Sequence, residues 1–184
     1  MAYVPRLTSD GMAGNPKWYA SNPFYTSGYG LPNCTCYSWG RWWEISDPDN
    51  QWIHQPNLSM GNAKQWWDYN VNNSIYNYGF TPELGAVLCF TNNNPLSNGH
   101  VAVVEEIFDD HIVTSNSDWG GQYFYLEVLY PDANNQYHHA SYWSQGFIYN
   151  PYAEQPIPPT PPSETRKRHF PFAVAWRYWN GFKR

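Results

Sequence analysis

The sequence predicts an α+β domain in which N-terminal helices pack on an antiparallel β-sheet. Three observations carry that expectation. Helical spacing is confined to the first half of the chain, over residues 34–44 and 61–70. From about residue 85 the pattern changes to short apolar runs divided by Asn, Asp, Gly and Pro turns, which read as hairpin-linked strands. A length of 184 residues, 42% hydrophobic and 14% charged, suits one ordinary core, with room for an appendage.

Residues 1–27 hold turn formers (Gly11, Gly14, Asn15-Pro16, Asn22-Pro23) and several rings, so they read as an irregular, aromatic-rich arm. Its rings either plug the domain surface or form one wall of a groove. The first real helix starts after Asn33, whose side chain can cap it, and ends at Ser46-Asp47-Pro48-Asp49-Asn50. Helical spacing places Cys34, Tyr37, Ser38 and Arg41 on one face of it. In the second helix Ala63, Trp66, Trp67 and Asn70 recur at the same spacing. Strands are expected over 85–90, 100–108, 111–115, 122–130 and 145–149, with a hairpin turn at Asp109-Asp110. The strand from His100 reads as buried on both faces. Residues 151–184 form a Pro-rich linker, with six prolines between 151 and 162, and a tail with six of the chain's ten Lys and Arg residues.

Bulk properties narrow the function. A net charge of −5 argues against nucleic acid as a partner of the main body. No apolar run approaches the roughly 18 residues needed to span a membrane. The start of the chain lacks the basic and apolar regions of a signal peptide, so a soluble protein outside the ordinary secretory route is expected. Three cysteines fit neither a disulfide framework nor a zinc site, and at least one thiol should be free. Rings make up 20% of the chain, more than so small a core can hide. Some should therefore face solvent or a ligand, in a groove suited to sugars or peptides.

Two short stretches carry the chemistry. Asn33-Cys34-Thr35-Cys36 puts a cysteine at a helix N-terminus, where the dipole and unpaired amides favour a thiolate and can hold an oxyanion. Gly99-His100-Val101 puts an imidazole at the mouth of an apolar strand, a group able to take the thiol proton. Gly99 leaves room there for close approach of substrate or backbone. A hairpin turning at 109–110 brings Asn116 and Asp118 back alongside His100, as candidates to orient it. Cys36 reads as structural and Cys89 as core. His54 and His138-His139 have no third ligand at sensible spacing, and Asp47, Asp49 and Asn50 read as a helix-ending turn. No metal and no cofactor are assigned.

These stretches resemble the CHAP domain, the cysteine, histidine-dependent amidohydrolases/peptidases. Asn33-Cys34-Thr35-Cys36-Tyr37-Ser38-Trp39-Gly40-Arg41 is similar to that family's nucleophile signature. Gly61-Asn62-Ala63 with Trp66, Pro82 to Val87, Gly99 to Val104, Ser115 to Trp119 and Gly146-Phe147-Ile148 resemble five further motifs in the family's order, covering about residues 28–150. The resemblance implies a papain-like fold and cleavage of amide bonds in bacterial peptidoglycan. Cys34 would be the nucleophile and His100 the base. Asn116 would orient the histidine, with Asp118 as a second polar support. Asn33 would join Cys34 in the oxyanion hole, and Tyr29, Tyr37 and Trp119 would line the substrate groove. Asn at 116 and Asp at 118 depart from the Glu and Asn that the family commonly has there. The acidic loop through which some relatives bind calcium has no counterpart in residues 22–33.

The expected function is a peptidoglycan hydrolase, either an N-acetylmuramoyl-L-alanine amidase or a cross-bridge endopeptidase. A phage lysin released through a holin, or a virion tail enzyme whose residues 164–184 dock to tail proteins, would fit the chain. The alternatives are a non-catalytic wall-binding module on a degenerate scaffold and a structural virion protein.

Overall fold

The computed structural model describes residues 3–155. A short helix α1 (Pro23–Thr26) precedes the main helix α2 (Cys34–Ser46). A 3-10 turn at Ala63–Gln65 then leads into α3 (Trp66–Asn73). The strands are β1 (Tyr78–Gly79), β2 (Val87–Thr91), β3 (His100–Ile107), β4 (Ile112–Asn116), β5 (Tyr125–Leu129), β6 (His138–His139) and β7 (Tyr142–Ile148). They form one antiparallel sheet in the order β1-β7-β2-β3-β4-β5, with β6 paired to β7.

The element order is the predicted one, with different edges. Strand β5 starts three residues later than its apolar pattern, and β7 begins at Tyr142. Two-residue strands β1 and β6 carry too little pattern to be read from sequence. The helix expected over 61–70 opens as a 3-10 turn, with the Asn62 amide donating to Gln65 Oε1 at 2.8 Å.

Alternation along the strands divides the core. Val87, Cys89, Val101 and Val103 face α2 and its tryptophans, whereas Leu88, Phe90, Ala102 and Val104 pack with Ile112, Leu129 and Phe147 on the other face. The N-terminal arm belongs to the first layer. Trp18 is fully buried against α2, donating from Nε1 to the Tyr37 carbonyl, and its ring lies 2.4 Å from where a Cβ on Gly40 would sit. Only glycine at 40 lets the arm lie that close.

Helix α2 is capped at one end and anchored at the other. The Asn33 side chain accepts from the Thr35 amide at 2.9 Å. After Ser46, Asp47 accepts from the Gln51 and Trp52 amides and pairs with buried Lys17 at 3.3 Å, so this turn is built from protein contacts. Arg41 reaches from α2 to Glu105 on β3 with two nitrogens, at 2.9 and 2.8 Å, and both side chains are buried. Glu105 also accepts from Ser115 Oγ, the Tyr3 hydroxyl and the Arg6 amide, which joins arm, helix and sheet at one carboxylate. The β3–β4 register shifts at this residue. Cys36 and Cys89 are buried in the core, and the three cysteines are free.

Candidate active site

The start of α2 meets the start of β3. Cys34 is the first residue of the helix, and the Val101 backbone amide is near enough to its thiol to favour the thiolate. The sulfur therefore lies at the peptide joining His100 to Val101. One turn along the helix, Ser38 Oγ donates to the Val101 carbonyl at 3.4 Å and fixes the same contact.

The third element arrives through the β3–β4 hairpin. Continuing the register Val103↔Ser115 puts Asn116 opposite Ala102, a diagonal neighbour of His100 on the same face. His100 Nε2 lies 3.0 Å from Asn116 Oδ1. The Asn116 amide is oriented by its other end, since Nδ2 donates to the Thr114 carbonyl at 3.1 Å and Thr114 Oγ1 at 3.0 Å. With Oδ1 facing the ring, the imidazole hydrogen belongs on Nε2 and Nδ1 is left as an acceptor. Just past the strand, Ser117 Oγ accepts the backbone amide of Asn33 at 3.0 Å, tying the hairpin to the cap of α2. Asp118 stands farther off, with Oδ1 3.9 Å from His100 Nδ1, and it accepts from the Tyr125 hydroxyl at 2.8 Å.

Burial sets the resting charge state. It pushes the Cys34 thiol up to about 11, with the Asp118 carboxylate adding to the rise and the Val101, Thr35 and Cys34 amides opposing it. Burial likewise holds His100 down to about 4, reinforced by the neighbouring His139, against the Asn116 hydrogen bond and the Asp118 and Glu127 carboxylates. Thiol and imidazole are thus both neutral near pH 7. The expected gain from the helix dipole at Cys34 is outweighed by loss of water.

Cys34 lies on a cleft of about 510 Å³ whose wall includes Asn33, Thr35, Met60 to Ala63, Asn98, Gly99, Tyr29 and Trp119. Gly99 supplies the close approach expected of it, and the partner is backbone. At φ +75°, its missing Cβ would lie 2.5 Å from the Lys64 amide nitrogen, and that amide donates to the Asn98 carbonyl at 2.9 Å. Tyr29 and Trp119 stand at the cleft, 56% and 67% exposed, with ring centres 5.9 Å apart. Tyr37 does not line it. Helix α2 is buried on nearly all sides, so the face shared with Cys34 points into the core, and Tyr37 packs under Phe124 with no exposure. The Asn33 side chain serves mainly as the helix cap, Oδ1 accepting from Thr35 and Nδ2 donating to the Tyr29 carbonyl at 3.0 Å.

One residue beside His100 was not anticipated. His139, on β6, stacks on the His100 ring with centres 4.2 Å apart and planes 18° from parallel. Its Nδ1 lies 2.7 Å from Glu127 Oε2 on β5. A ligand atom from each of His100, Asp118 and His139 falls within 4.8 Å of the others. Stacked imidazoles, however, aim their in-plane lone pairs side by side, so an ion shared by both would require one ring to leave the stack. The arrangement fits ring packing better than metal ligation. The sequence offered no signal for it, because the histidine arrives on a two-residue strand.

A helix-borne thiol set against a strand-borne imidazole and an asparagine, on an antiparallel sheet, defines a papain-like α+β protein. The CHAP domain profile matches residues 24–118, and the chain belongs to that family. Among solved structures, it is similar to an N-acetylmuramoyl-L-alanine amidase from Staphylococcus aureus, with 22% identity and a TM-score of 0.43, over 64% of this chain and 32% of that one. It is also similar to Ly7917, solved with the hydrolyzing product of MDP, with 18% identity and a TM-score of 0.41, over 66% of this chain and 55% of that one. The matched region thus spans a third to a little over half of those proteins. Comparison with curated protein sequences finds no match.

Proposed function

We propose that the protein is a peptidoglycan hydrolase that opens amide bonds through a Cys34 acyl-enzyme. The observation that carries this reading is the orientation of His100, with Nε2 on buried Asn116 and Nδ1 left as an acceptor, beside the peptide that contacts the Cys34 thiol.

The chemistry follows from that geometry. Nδ1 takes the thiol proton as sulfur attacks the carbonyl carbon of the amide, and the Nε2–H to Asn116 steadies the imidazolium. Because both groups rest neutral, proton transfer accompanies attack instead of preceding it. The oxyanion is met by the Cys34 backbone amide at the start of α2, with the second amide hydrogen of Asn33 as a further donor. His100 then returns the proton to the leaving amine, and water releases the acyl group. Tyr29 and Trp119 offer exposed ring faces on which a sugar or peptide can lie.

Zymography and turbidity assays on purified cell walls test the reading. Wild type should clear them, and Cys34→Ala should lose clearing by at least about 10³-fold. Equal clearing by the variant would sink the enzyme reading and leave wall binding. Mass spectrometry of the digest assigns the bond: new N-terminal alanine marks an amidase, and freed bridge amines mark an endopeptidase.

A further inference from the structure

We propose that His139 is a positioning residue for the base, braced by Glu127 so that its ring holds His100 against Asn116. The inference rests on the proposed role of His100 and adds a residue to it.

Five contacts carry it. The two imidazoles are stacked, with centres 4.2 Å apart, which closes one face of His100 and removes its freedom to rotate away from Asn116. Glu127 fixes the second ring through its Nδ1 at 2.7 Å. Phe90 packs against both rings, at 6.0 Å from His100 and 5.8 Å from His139, and Tyr142 covers the outer side of His139 at 6.2 Å. A side chain wanted only for bulk here could be any ring. A histidine here is also anchored at a second point, through Nδ1 to the Glu127 carboxylate.

The charged and titratable groups around His100 come from four elements. Asp118, beyond β4, and Glu127, on β5, favour its protonated form, and His139, on β6, opposes it. Cys34, at the start of α2, contacts the neighbouring peptide and is neutral. Without His139, burial alone opposes the two carboxylates, and the base becomes easier to protonate. Both effects need His139 only as a neighbour of His100, not as a contact to substrate.

The test uses His139→Phe, which keeps a stacked ring without a titratable imidazole, and His139→Gln, which loses both ring and imidazole, in case the first variant misfolds. Side-chain NMR titration of His100 in a Cys34→Ser background needs no turnover, so it stands even if the hydrolase reading fails. In both variants the His100 midpoint should rise by about 1 pH unit. The acid limb of kcat/KM on cell-wall fragments should rise with it, while KM stays within about twofold. In His139→Gln, kcat should fall further than in His139→Phe at every pH, because the stack is lost. An unchanged His100 midpoint in correctly folded variants, or pH profiles that overlay wild type, would overturn the proposal.

Discussion

Asn116 and Asp118 reach His100 in different ways, and the difference predicts unequal losses. Asn116 is fully buried and bonded to the ring at 3.0 Å, while the Asp118 side chain is 41% exposed and 3.9 Å from Nδ1. Replacing Asn116 with Ala should free the tautomer and lower kcat by roughly 10²-fold with KM little changed, as steady-state kinetics on cell-wall fragments would register. Asp118→Asn should cost less than about tenfold, because a half-exposed carboxylate at that distance is screened. A larger loss for Asp118→Asn would reverse this assignment. Asn116 suits a base that must stay neutral. It accepts the Nε2 hydrogen without placing a full negative charge on buried His100, whose pKa a carboxylate there would raise.

At the scale of elements, what holds the cysteine helix and the histidine strand together is the charge cluster behind them. Arg41 on α2 and Glu105 on β3 are buried and paired through two hydrogen bonds, with Ser115, Tyr3 and Arg6 filling the remaining positions on the carboxylate. Removing one partner strands the other charge away from water. Glu105→Ala should therefore cost about 3–5 kcal/mol in urea denaturation. The N-terminal arm should loosen with it, because Tyr3 and Arg6 share that carboxylate. Proteolysis of the arm would report the loosening. Gly99 and the Lys64 backbone make a similar join on the cleft side, where no side chain fits between them.

Over the whole molecule, His100 links stability to pH. Its folded pKa is held near 4, below the ordinary histidine value of 6.5, so the folded protein resists a proton that the unfolded chain accepts. This contribution is fully present above about pH 6.5 and is lost as pH falls toward 4. Glu44 has the opposite chemistry, its carboxyl lowered through Arg6 and Arg41 against burial, and its contribution disappears only below about 4.5. Thermal melts from pH 7 to pH 4 should fall through the histidine window first, and His100→Gln should flatten that part of the curve. Among the described residues, no helix is long and apolar enough to cross a membrane. The expected docking role of residues 164–184, and most of the Pro-rich linker, lie outside those residues.

The α+β order, the capped helix at Asn33 and the strand opening at His100 were all legible in the sequence. Each depends on local physics: an Asn side chain that can reach a bare amide, apolar runs at strand period, and Asn, Asp and Pro turns between them. The hairpin at 109–110 was enough to nominate 116 and 118, since strand register is a local count. Choosing between them needed the structure, because Thr114 decides which end of the Asn116 amide faces the ring. The fate of Tyr37 was also tertiary. Helical spacing gives a shared face but not its direction, and burial on nearly all sides turned that face inward. His139 was beyond reach for a related reason: it meets His100 from a two-residue strand 39 positions away, joined by packing alone. The sequence by itself determined which side chains could do thiol chemistry and which elements carry them. The tertiary structure decided their charge states and partners, because burial and orientation across the sheet are set only once distant segments pack.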